Sequence, residues 1–209
     1  MAPIWDTSTN VTNRVVWIPP GEWEDVWSGA TVSDPKSITA SQPFEKQPMW
    51  HKKDGGLTVI TDSPGLRIAD GDWSSLTIEA FPALTPVETV RSVYALGTAE
   101  RTDLRMQTDG QGLVSLSISE STDKVARTWI VRLHLRVGQR AVAGAIDGKD
   151  VDSSRLVHLQ PMTPQETVAK HFPFAGSGAR PPALAGSILE LEIEPAAHPR
   201  FMTFLISQA

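Results

Sequence analysis

Residues 15–29 read Val15-Val16-Trp17-Ile18-Pro19-Pro20-Gly21-Glu22-Trp23-Glu24-Asp25-Val26-Trp27-Ser28-Gly29 and hold three of the seven tryptophans. Val15 to Ile18 are β-branched or aromatic, the residue types that suit a pleated, half-buried strand. Pro19-Pro20-Gly21 ends that strand, because proline has no N–H to give to a ladder and glycine accepts positive φ. Beyond the turn, Trp23, Asp25 and Trp27 alternate, so in an extended segment they point to one side. Ser28-Gly29 turns the chain again. A strand, a Pro-Pro-Gly corner and a second tryptophan-bearing strand predict one corner of an all-β domain.

The rest of the chain repeats this pattern. Lys36 to Ala40, Met49 to His51 and Leu57 to Thr61 read as short strands, with Asp54-Gly55-Gly56 as a turn. Asp62-Ser63-Pro64-Gly65 and Asp70-Gly71-Asp72 then bracket a stretch with little apolar periodicity, and a change of domain is expected near residue 74. Leu76 to Phe81 alternates apolar and polar until Pro82 stops it. Val87 to Leu96, Asp103 to Gln107, Leu113 to Ile118 and Thr128 to Val137 follow; in the last of these Ile130 and Arg132 should face water and Val131 and Leu133 the core. Gln139 to Ile146 ends at Asp147-Gly148, a strong hairpin dipeptide. Val157 to Leu159, Ile188 to Ile193 and Phe201 to Ile206 close the series. Pro164 to Ala169 suits a short helix capped by Thr163, and Phe172 to Ala185 a long loop. Many short strands broken by Gly, Asp and Pro predict an all-β chain of two β-sandwich domains in tandem, residues 1–74 and 75–209.

The order Val-x-Ile-Pro-x-Gly-x-Trp-x-Asp-x-Trp-Ser-Gly is preceded by Ala2-Pro3-Ile4 and followed by Pro43-Phe44-Glu45-Lys46-Gln47-Pro48-Met49-Trp50-His51-Lys52-Lys53-Asp54-Gly55. Together these stretches resemble the segment after the catalytic barrel in glycoside hydrolase family 31, the α-glucosidase family. The resemblance implies that residues 1–74 are a proximal C-terminal β-sandwich and residues 75–209 a distal one. It also implies that the strand leading into Ala2-Pro3-Ile4 lies outside this sequence, so the first sandwich would be incomplete and its edge open to self-association. Where the family tends to run Gly-Ser-Ile-Ile-Pro, this chain has Gly55-Gly56-Leu57-Thr58-Val59-Ile60. The family's two catalytic carboxylates belong to the barrel, so the resemblance gives no residue here a catalytic role. Its implied partner is a catalytic (β/α)8 barrel, which this chain would brace.

Composition narrows the alternatives. A chain of 209 residues, 40% hydrophobic, can bury one sizeable core or two small ones. A net charge of -5, with Lys52-Lys53 as the longest basic run, argues against a nucleic-acid or anionic-membrane surface. No apolar stretch approaches the roughly 20 residues of a membrane helix, and no export signal is read at the N-terminus, which leaves the compartment open. Without cysteine there is no disulfide or thiol chemistry. Asn10-Val11-Thr12 is a glycosylation sequon, relevant in a secreted protein alone.

Glu22, Glu24 and Asp25 are too close together to face each other across a sugar, as a glycosidase pair must, and read as solvated turn residues. Trp5, Trp17, Trp23, Trp27 and Trp50 can stack on sugar faces or pack against a neighbouring domain. Trp17, Trp23, Trp27 and Trp50 are therefore the candidate carbohydrate-binding or barrel-docking residues. The alternative function is a free-standing carbohydrate-binding module for an α-glucan or oligosaccharide. Trp73 and Trp129 are expected at the boundary and in the core of the second sandwich. The five histidines, His51, His134, His158, His171 and His198, lack paired metal-ligand spacing. Asp147, Asp150 and Asp152 make an acidic turn where calcium or a plain hairpin is the choice. Ser177, between Gly176 and Gly178, lacks the strand-to-helix setting of a nucleophile elbow. No cofactor or metal is expected.

Overall fold

A computed structural model of the chain describes residues 11–25, 30–43, 50–61, 73–95, 99–122, 125–159, 187–196 and 198–208. The described residues are organised in strands, and contacts among them divide the chain after Asp54. The sequence-based expectation put the change of domain near residue 74. The two divisions differ by one strand, Gly56–Thr61, which pairs along its length with Ser75–Phe81 and so joins the later unit. The expected helix at Pro164 to Ala169 and the loops at 62–72 and 172–185 lie outside the described residues.

The smaller unit holds β1 (Val11–Ile18), β2 (Trp23–Asp25), β3 (Thr31–Val32), β4 (Lys36–Pro43) and β5 (Trp50–Lys52). β1 and β4 form an antiparallel ribbon in which Ile18 opposes Lys36 and Trp17 opposes Ser37. β2 is the middle strand of a three-stranded sheet, β3-β2-β5.

The larger unit is a β-sandwich. Its strands are β6 (Gly56–Thr61), β7 (Ser75–Phe81), β8 (Pro86–Tyr94), β9 (Arg101–Asp109), β10 (Leu113–Ile118), β11 (Arg127–Leu135), β12 (Gln139–Ile146), β13 (Lys149–Asp150), β14 (Val157–Leu159), β15 (Ser187–Ala196) and β16 (Arg200–Gln208). One sheet runs β14-β15-β11-β7-β6 and the other β13-β12-β16-β10-β9-β8. β7 and β11 run parallel, and the other neighbours run antiparallel.

Period-two alternation places Leu76, Ile78 and Ala80 on the inner face of β7 and Trp129, Val131 and Leu133 on that of β11. From the opposite sheet, Leu104, Met106, Leu116, Met202 and Phe204 meet them in one continuous core. Each fully buried side chain of this size stabilises the fold by about 1.5–3 kcal/mol relative to exposure. Trp129 is a core residue, and Trp73 packs half-buried against its edge.

The turns follow local chemistry. Asp147 and Gly148 both take positive φ in the hairpin joining β12 to β13. Between β9 and β10, the Asp109 Oδ1 accepts from the backbone N–H of Gln111 at 2.7 Å and of Leu113 at 2.9 Å. Gly112 lies in that turn with φ +112, and its carbonyl accepts from the Ile206 N–H at 2.8 Å.

Candidate functional site

At the tryptophan bend, β1 ends where Pro19 removes the donor, and Gly21 turns the chain with φ +119. A Cβ at Gly21 would lie 3.2 Å from Lys52 Cε and 3.7 Å from Trp23 Nε1, so the turn is packed against the strand it introduces. Backbone bonds then fix β2: the Asp25 N–H donates to Ala30 O at 2.9 Å and the Lys53 N–H to Glu22 O at 2.8 Å. Register places Trp23 opposite Lys52 and Asp25 opposite Trp50. Trp23, Asp25, Trp50 and Lys52 therefore share one face of the small sheet, and Glu24 and His51 share the other.

Glu24 and Asp25, expected as solvated turn residues, are buried. Each is 6% exposed, because both belong to the central strand and not to a turn. Lys53 Nζ compensates Glu24 with an ion pair of 2.6 Å to Oε2. Successive residues of a strand point to opposite faces, so these two carboxylates cannot converge on one bond of a sugar.

The four candidate tryptophans have separate settings. Trp23 and Trp50 are half-buried in the small sheet. The indole N–H of Trp23 is buried and has no hydrogen-bond partner among the described residues. Trp27 lies outside the described residues. Trp17 is 59% exposed and stands beside Val15, 71% exposed, on the outer face of the β1–β4 ribbon, while Ile18 and Ala40 line the inner face. The bend thus presents an apolar step above Ser37 and Thr39, both exposed.

A second constellation, in the larger unit, was not foreseen. Arg132 on β11 stands in register between Glu79 on β7 and Glu190 on β15. Its guanidinium reaches Glu79 Oε1 at 3.0 Å and Glu190 Oε2 at 2.7 Å. His134 Nε2 meets Glu79 Oε2 at 2.5 Å, and its ring stacks on Phe81 with centroids 4.1 Å apart. Arg132, expected to face water, is 4% exposed, and Glu79 is 5% exposed. Each can be buried because the partner across the ladder neutralises it and fills its hydrogen bonds.

Burial by itself raises the pKa of Glu79, yet the hydrogen bond and charge of His134 and the Arg132 guanidinium outweigh it and hold the carboxyl below its usual 4.5. A carboxylate with a lowered folded-state pKa contributes its stability above the unfolded value, and that contribution is lost as pH falls through the folded value. The urea midpoints of the wild-type chain and of Glu79→Gln are therefore expected to converge as pH is lowered from about 7 towards about 3. A constant gap across that range would mean that the Glu79 charge is not what the network uses.

Among the described residues no group of three or more His, Asp or Glu side chains is placed to hold a metal ion. Of the acidic residues after β12, Asp147 pairs with Arg200 at 2.6 Å and Asp152 caps the short 3-10 turn at Ser153–Arg155, while Asp150 is exposed on β13. Ser177 lies outside the described residues. No helix among the described residues is long and apolar enough to cross a membrane.

No protein-family profile matches the sequence, and neither does any curated protein. Solved structures do match in fold. A dextranase of glycoside hydrolase family 31 from Flavobacterium johnsoniae, complexed with isomaltotriose, is 14% identical; the match covers 98% of this chain and 25% of that one, with a TM-score of 0.60. The cycloalternan-forming enzyme from Listeria monocytogenes, in complex with a pentasaccharide substrate, is 18% identical over 100% of this chain and 18% of its own, at 0.59. An α-1,4-glucan lyase from Gracilariopsis lemaneiformis is 13% identical over 97% of this chain and 21% of its own, at 0.55. The resemblance to family 31 is thus a likeness of fold that runs through the whole chain, while the chain spans a quarter or less of the structures it matches.

Proposed function

We propose that this chain is a non-catalytic accessory region of a family 31-like, α-glucosidase-type hydrolase, and that it braces a catalytic (β/α)8 barrel. On this reading the smaller unit is the proximal sandwich and the larger unit the distal one. The observation that carries the proposal is the exposed pair Val15 and Trp17 beside a bend in which Ile18, Glu24 and Asp25 are buried and Trp23 and Trp50 half-buried. A large aromatic held on a paired ribbon, with an aliphatic neighbour, is the kind of anchor that dominates interfaces between domains. The fraction of each matched structure that this chain spans supports a larger assembly. The sugars bound in those structures support an α-linked glucan as the substrate of the whole, handled by residues outside this chain.

Sequencing the coding region upstream of residue 1 tests this directly. A reading frame encoding a (β/α)8 barrel with two acidic residues at its strand ends is expected. That barrel, produced separately, should bind the chain, and Trp17→Ala should weaken binding roughly 30-fold, the loss of about 2 kcal/mol usual for a central tryptophan. Absence of such a frame, or binding indifferent to Trp17, overturns the docking role. Self-association through the β1–β4 ribbon in place of barrel binding also overturns it.

A further inference from the structure

The outer face of the six-stranded sheet differs from that of its partner sheet, where the charge array is buried. Two successive rows of side chains cross it. Val90, Arg105, Ser117 and Phe201 form one row, and Glu88, Gln107, Ser115 and Thr203 the next. Small hydroxyl residues make the floor on β10, and larger side chains stand on β8, β9 and β16 to either side. A cavity of about 510 Å³ lies over the first row and includes Asp103 and Asp147 at its margin. Another of about 430 Å³ lies over the second row, reaching Asp109 and Leu113. Both are open to solvent along their length, so together they form a shallow groove on the sheet and not an enclosed pocket.

The lining chemistry selects the ligand class. Most of its charges are paired in place: Arg105 lies 3.5 Å from Glu88, Arg200 2.6 Å from Asp147, and Asp103 3.3 Å from Arg101, while Glu120 and Asp109 add further carboxylates along the lining. A surface of mostly paired charges with a slight excess of carboxylate holds no attraction for a polyanion. It still offers carboxylate acceptors, guanidinium and amide donors, and serine hydroxyls side by side, the mixture that pairs with vicinal hydroxyl groups. Phe201, 49% exposed at the wall of the larger cavity, supplies a flat apolar face of the kind on which the C–H side of a pyranose ring packs. We propose that this groove across β9 and β10 binds a neutral oligosaccharide. The proposal concerns a surface remote in sequence from the tryptophan bend and does not rest on the docking reading.

The test is titration of the full chain with maltotriose, isomaltotriose and cellotriose, followed by amide chemical-shift mapping. Saturable shifts with at least one trisaccharide are expected, confined to β8, β9, β10, β16 and the turn at Asp147. Phe201→Ala should weaken binding by about tenfold or more. Ser117→Trp, which fills the groove floor, should abolish it, with circular dichroism and Tm confirming that both variants fold. The proposal is overturned by no shift with any of the three at about 10 mM, a concentration that would nearly saturate a millimolar site. It is equally overturned by shifts that survive both substitutions, by shifts that map to residues 15–52, or by preferential binding of dextran sulfate or spermine. None of these outcomes depends on Trp17, so failure here and failure of the docking reading are distinguishable.

Discussion

Replacing Glu79 with alanine is expected to lower the unfolding free energy of the larger unit by about 3–5 kcal/mol, seen as a fall of roughly 10 °C in Tm. The substitution removes the carboxylate that both Arg132 and His134 use, at 3.0 Å and 2.5 Å, and leaves a guanidinium 5% exposed with half its compensation gone. An uncompensated buried charge is among the most destabilising lesions available to a point mutation. The double variant Glu79→Leu with Arg132→Met should recover most of the loss. It removes both buried charges together, and the remaining Glu190 side chain, 31% exposed, can be solvated. If the double variant were no better than the single one, shape and not charge would be the property of value at this position.

Gly112→Ala is expected to destabilise by a similar amount, about 3–5 kcal/mol, and Gly148→Ala by only about 1 kcal/mol. Both glycines have positive φ, at +112 and +77, so both variants carry backbone strain. They differ in the space around them. A Cβ at Gly112 would lie 2.3 Å from the Ile206 carbonyl oxygen, a backbone atom held in the sheet, whereas one at Gly148 meets nothing within 4 Å. The Gly112 variant must therefore push β10 from β16 or give up the bond between Gly112 O and the Ile206 N–H. Denaturant unfolding of the two variants side by side separates steric exclusion from dihedral strain. Equal losses would show that close approach contributes nothing.

These effects mark where sequence reading works and where it stops. The strands were legible because their signals are local. Val15 to Ile18 is β-branched and stopped by proline, and Gln139 to Ile146 ends at Asp147-Gly148 and emerges as β12 with its hairpin. The inner-face residues Val131 and Leu133 followed from alternation alone. Arg132 was misjudged by the same rule, since alternation reports which face a residue occupies and not whether that face is wet. Its partners Glu79 and Glu190 lie 53 and 58 residues away in sequence, and only the pairing of three strands brings them into one row. Glu24 and Asp25 were misjudged for the converse reason. The Gly21 turn is completed before them, so they fall inside a strand instead of on the corner.

The placement of β16 has a consequence for how the molecule assembles itself. This strand comes latest in order among the described ones, yet it sits between β12 and β10 in the interior of its sheet. Until it arrives, the two flanking halves have no ladder in common, and β10 and β12 both present open, adhesive borders. Acquisition of the native state must wait for a closure spanning roughly ninety residues, a slow search of the millisecond-to-second kind. Refolding from denaturant is thus expected to be slowed by this late pairing, with the unclosed borders of β10 and β12 the places where a stray copy could attach.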